Sequence, residues 1–172
     1  MKLPLLLSLG VAGCLLLCPK ARAISFEDLH QDATLTPHTF ARHFSKFRFA
    51  FHADIQRPED FLRAEAGDCD DYATLAASEL TARGYHPRLV AIRLKGLVHV
   101  VCYVAEANSY LDYNQRAHGS GLVACGPALT EIGNAVAKSF KSTWTSVSEF
   151  TYSDGVKRLV STKVAEKHLA DR

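Results

Sequence analysis

The sequence predicts an α+β domain, on three observations. Helical signals come first along the chain, alternating apolar strand signals follow, and the strands are joined by connections short enough to make neighbours antiparallel. The strongest helix lies over residues 69 to 83. Tyr72, Leu75, Ala76, Glu79 and Leu80 recur at helical spacing, and Ala73, Ala76 and Ala77 allow close packing. Asp68, Asp70 and Asp71 place negative charge at its start, where the helix dipole favours it, and Arg83-Gly84 ends it.

The other elements follow in chain order. Thr36-Pro37 reads as an N-cap followed by proline in the first turn, opening a short helix to about Ser45. Phe47, Phe49 and Phe51 alternate with polar neighbours and read as an extended segment with one aromatic face. Pro58-Glu59-Asp60-Phe61-Leu62 reads as a second short helix ending near Gly67. After the main helix come strands from His86 to Leu94 and from Leu97 to Val104, joined by Lys95-Gly96, and a third around Tyr110 to Asn114. Residues 131 to 140 read as a helix capped by Thr130. The tail reads as a hairpin of Val147 to Tyr152 and Val156 to Val164 around Ser153-Asp154-Gly155.

The first 23 residues read as a signal peptide. Lys2 opens them, an apolar run follows from Leu3 to Leu17, and Ala21-Arg22-Ala23 supplies a small-x-small cleavage pattern. The expected mature chain is one domain over residues 24 to 172, secreted or periplasmic. A lipid anchor at Cys14 is the alternative, because Val11-Ala12-Gly13-Cys14 resembles a lipoprotein cleavage site. The run is broken by Ser8, Gly10, Gly13 and Pro19, which argues against a stable membrane span after processing. The leader carries Lys2, Lys20 and Arg22 and no acid, so its removal takes the formal charge from +2 to −1. The basicity belongs to the leader, and nothing favours nucleic acid as a partner.

Three cysteines remain after the leader: Cys69, Cys102 and Cys125. An odd number in an oxidising compartment leaves at least one thiol unpaired within the chain. Cys69, in Gly67-Asp68-Cys69-Asp70-Asp71-Tyr72-Ala73, sits at a predicted helix start, where free backbone N–H groups favour a thiolate and can bind an oxyanion. The flanking aspartates oppose the thiolate, so a neighbouring imidazolium is required. The bland alternative is a small buried cysteine. His99 lies in the apolar strand Leu97 to Val104, where period two puts it on one face with Val101 and Tyr103 and puts Cys102 on the other. A core histidine is the competing reading. Asp112, between aromatic and aliphatic residues, needs a partner. If four residues connect Val104 to Ser109, Asp112 faces Val101 and lies diagonal to His99 on the same side of the sheet. A loop of odd length would separate them. Together the three residues make a nucleophile, a base and an orienter. Gln56 is a weak candidate for a second oxyanion donor beside the Cys69 N–H.

Pro58-Glu59-Asp60-Phe61-Leu62, Gly67-Asp68-Cys69-Asp70-Asp71-Tyr72-Ala73, His99-Val100 and Tyr110-Leu111-Asp112 together resemble bacterial transglutaminase-like domains, and in particular the transglutaminase-like cysteine peptidases, over about residues 40 to 115. The resemblance implies a papain-like core in which N-terminal helices, one carrying the nucleophile, pack on an antiparallel β-sheet carrying the other two residues. It implies a catalytic triad of Cys69, His99 and Asp112.

The leading expectation is a thiol acyl-transfer enzyme acting on a protein or peptide through a thioester, with hydrolysis by a peptidase or amidase ranked above cross-linking of amines. A non-catalytic binding or scaffold module is a second class. A metal site from Cys69, Asp70, Asp71, His99 and Asp112 is a third, and the absence of paired Cys/His spacing disfavours it. The expectation is therefore of no metal and no cofactor.

Overall fold

The computed structural model describes residues 24–119 and 121–166, so the expected leader and Cys14 lie outside the described residues. The element order is α1 (Phe26–Gln31), α2 (Pro37–His43), β1 (Arg48–Phe49), α3 (Pro58–Ala64), β2 (Ala66–Gly67), α4 (Cys69–Thr81), β3 (Pro87–Leu94), β4 (Leu97–Val104), β5 (Ser109–Leu111), β6 (Leu122–Ala124), α5 (Leu129–Ser139), β7 (Trp144–Ser153) and β8 (Val156–Val164). Six strands form one sheet in the order β6-β5-β4-β3-β7-β8, every neighbouring pair antiparallel. The architecture is α+β, with the cysteine-bearing helix packed on an antiparallel sheet.

The centre of the sheet, around β3 and β4, is covered on both faces. On one, Leu89, Val100, Cys102, Val104 and Leu111 pack with α4 and with Phe40, Phe44, Phe61 and Tyr72 of the N-terminal helices. On the other, Val90, Ile92, Leu94, Val101 and Tyr103 pack with Ile132 and Val136 of α5. This is why β4 reads as a continuous apolar run: alternate side chains point to opposite layers, and both layers are dry.

Several elements differ from expectation. Phe47, Phe49 and Phe51 do not share a buried aromatic face. β1 is two residues long and pairs in parallel with β2, outside the main sheet. Phe47 turns inward onto Phe44 and Phe61, with ring centroids 4.8 and 5.3 Å away, while Phe49 and Phe51 stay exposed. β5 stops at Leu111, before the expected Asn114, because the Asp112 side chain accepts the Asn114 N–H and turns the backbone into a 3-10 helix over Tyr113–Gln115. Thr130 does not cap α5. Ala128 is the N-cap, and Glu131 reaches back to accept its N–H at 3.2 Å. α1 and β6 had no clear sequence signal, being short and weakly patterned.

Gly67 lies where α3, β2 and α4 crowd together. A Cβ there would fall 2.6 Å from both Asp71 Oδ2 and the Phe61 ring. Gly67→Ala is therefore expected to destabilise the protein by about 1–3 kcal/mol through overpacking, read as a lower urea midpoint with unchanged slope. An unchanged midpoint would show that Phe61 yields freely.

Candidate active site

The start of α4 is held in place by its own aspartates. Asp68 is the N-cap; its carboxylate accepts the Asp70 N–H at 3.3 Å and the His52 N–H at 3.0 Å. Asp71 closes a capping box by accepting the Asp68 N–H at 3.0 Å. It also accepts the Gln56 backbone N–H at 2.7 Å and the Gln56 side-chain amide at 2.8 Å. The Gln56 amide donates as well to the carbonyl of Ala66 at 3.1 Å, so both its hydrogens are committed. Gln56 is thus a support for the helix start, which corrects its candidacy as an oxyanion donor. The spacing Asp-x-x-Asp carries this double cap, and it puts Cys69 at the first helical position.

Four residues connect Val104 to Ser109, as the even-loop reading required, and Cys102 pairs with Leu111 and Tyr103 with Tyr110. Continuing that register sets Asp112 opposite Val101. His99 donates from Nε2 to Asp112 Oδ1 at 2.8 Å, and both residues are buried. Nε2 being committed, Nδ1 is the nitrogen left to face Cys69, whose sulfur is near enough to help raise the pKa of the ring. β5 pairs only with the Cys102–Val104 end of β4, so the His99 end of β4 lacks a sheet partner on that side. There the cysteine from the α4 layer meets the histidine that faces the α5 layer. Cys69, His99 and Asp112 are therefore brought together.

The charges are arranged accordingly. Burial works to lower the His99 pKa, but the hydrogen bond it donates to Asp112, the nearby Cys69 sulfur and the charge of Asp112 outweigh it, and it rises to about 9. The ring is cationic at neutral pH. Burial, then the hydrogen bond and charge of Asp68 and the charge of Asp71, push Asp70 up to about 7. Burial works to raise Asp68, yet the hydrogen bonds it accepts from Asp70, His52 and its own helix start hold it below the usual carboxylate range. The acidic cluster that opposes a Cys69 thiolate is thus partly neutralised below about pH 7, where Asp70 holds its proton. The sign for stability follows. A raised carboxyl favours folding when protonated, and that contribution is lost as pH rises through about 7.

The other two thiols are placed differently. Cys102 is wholly buried on the α4 side, where burial pushes its thiol far up, and Cys125 packs against the α5 side. The two lie in opposite layers and both are free. One neighbour of the site had no sequence signal. Phe140, the C-cap of α5, sets its ring 4.9 Å from that of His99. It lies far along the chain, and only the fold joins them.

A family model described as a transglutaminase-like domain matches residues 22–118. No curated protein and no solved structure matches the chain. The match takes in α1 to β5 and ends before β6, so it includes Cys69, His99 and Asp112 and omits Phe140. The matched stretch is more than half of the 172 residues, and this chain belongs to the transglutaminase-like domain family.

Proposed function

We propose that this protein is an exported thiol acyl-transfer enzyme, a cysteine peptidase or amidase acting on a protein or peptide through Cys69, His99 and Asp112. The observation that carries the reading is the buried His99–Asp112 hydrogen bond at 2.8 Å, with the sulfur of Cys69 near enough to the ring to help raise its pKa. The thiolate of Cys69 attacks the amide carbonyl, and the developing oxyanion is met by the Cys69 backbone N–H at the start of α4. His99 gives its Nδ1 proton to the departing amine as the C–N bond breaks, leaving a thioester on Cys69. Water then attacks the thioester while His99 takes its proton, and the carboxylic acid leaves as Cys69 regains the thiolate. Asp112 keeps the ring oriented and supports its charge throughout. An amine in place of water gives cross-linking from the same thioester; hydrolysis needs no second substrate, which favours it.

The test is mass spectrometry of the protein after reaction with an activated acyl ester. The expected result is a single acyl group mapped to Cys69 that is lost with time in water, in wild type and in Cys125→Ser alike. Labelling that vanishes in Cys125→Ser, or none on Cys69, would overturn the reading and leave a scaffold module in its place.

A further inference from the structure

We propose that Phe49 and Phe51 on the cysteine side, with Leu97 and Val98 on the histidine side, are walls that select a large apolar side chain beside the scissile amide; this rests on the acyl-transfer reading above. Large apolar side chains left in solvent need a reason when they border reacting residues along the chain or across a strand pair. Among the described residues, those exposed outside β7 and β8 are these four, with Phe49 at 63 % and Phe51 at 77 %. All four are close in the chain or in pairing to the reacting pair. Leu97 and Val98 immediately precede His99. Phe49 pairs with Gly67, two residues before Cys69.

The phenylalanines are also held where they are. Arg48 N donates to Glu65 O and Ala50 N to Gly67 O, both at 2.8 Å, and His52 N donates to Asp68. From the other side, Tyr113 Oη donates to Arg48 O, and Arg116 Nε to Phe47 O, both at 2.6 Å. The segment is tied both to the helix that starts at Cys69 and to the turn that follows Asp112. The two rings are thus presented by fixed backbone, and binding an apolar side chain against them costs little backbone ordering. With adjacent strands about 4.8 Å apart and a rise of about 3.3 Å per residue, the rings fall within about two or three residues of the scissile bond of an extended substrate.

Two peptidyl acyloxymethyl ketones test this, one with phenylalanine and one with aspartate next to the ketone. In each the Cys69 thiolate displaces the carboxylate and forms a thioether. Wild type should react at least about tenfold faster with the phenylalanine probe, and the Phe49→Ala/Phe51→Ala double variant should lose most of that preference. Leu97→Ser, the second variant, should lower it in part. Iodoacetamide offers the walls no side chain and reports the thiol alone. Fast, His99-dependent alkylation without any probe preference in wild type would keep the acyl-transfer reading and sink the walls. A preference that survives in the double variant would sink them too. So would a dimer in sedimentation that the double variant dissolves without change in preference, since the pair would then be a self-association surface.

Discussion

Replacing His99 with alanine should slow alkylation of Cys69 at pH 6 by roughly ten- to a hundredfold. The His99 ring, raised to about 9, is cationic at that pH and lies beside the sulfur, so the substitution removes the positive charge that favours attack by the thiolate. The sign with pH is fixed by the ring. His99 is raised from 6.5 to about 9, so the imidazolium that stabilises the thiolate is present throughout the mildly acidic and neutral range and is lost as pH rises through about 9. The wild-type advantage should therefore be largest below about pH 8 and fade above about pH 9. The same ring stabilises the fold fully below its unfolded pKa of about 6.5, a contribution lost as pH rises through about 9. Asp112→Asn should retain the fold and keep part of the advantage, because shape survives and the charge facing His99 does not. Iodoacetamide kinetics from pH 5 to about pH 10 read all three proteins. Superimposable profiles for wild type and His99→Ala would mean that the ion pair is absent.

The second large effect is expected at Arg83, where substitution by alanine should cost about 3–5 kcal/mol in urea unfolding. Its guanidinium is largely covered beside the buried Glu79, donating to Glu79 Oε2 at 3.1 Å and to the Glu79 carbonyl at 2.6 Å. It also donates to Asp32 O at 2.8 Å, Leu29 O at 2.7 Å and His30 O at 3.0 Å, which ends α1 against α4. Removing it strands a buried carboxylate with the half-exposed His30 as its remaining ionic partner and frees three carbonyls at the end of α1. Arg83→Lys should recover little, since a point charge cannot reproduce the planar fork. Hydrogen exchange should quicken in α1 before it does in β3 and β4. A loss under about 1 kcal/mol would show that α1 is held by Leu29 and its apolar neighbours instead.

These two residues show where the sequence is readable and where it is not. His99 and Asp112 could be paired in advance because an even connection and a period of two leave one outcome for side-chain direction, and the Ala105 to Asn108 turn satisfies that condition. The α4 helix and the β3–β4 hairpin were legible because each carries its pattern over many residues with recognisable ends. Arg83 looked like a helix terminator only. Its five acceptors lie partly on α1, and nothing in a local pattern points across some fifty residues. The aromatic stretch misled for the same reason. Alternation fixes which residues share a side of a strand, but β1 is too short to impose it, and the pull of Phe44 and Phe61 on Phe47 decides the outcome. Gln56 does lie beside the helix start, and its partners there, Ala66 O and Asp71 Oδ2, already occupy its amide.

The two-sided burial of the sheet bears on where the chain can be cut. The family resemblance stops at residue 118, and a fragment ending there would lack α5, β7 and β8. Val90, Ile92, Leu94, Val101 and Tyr103 would then stand bare on one broad surface, and His99 would lose the ring of Phe140. Such a fragment would be driven to associate with other copies of itself. The autonomous folding unit is thus larger than the recognisable one, and residues beyond the matched stretch govern how dry the reacting histidine is kept.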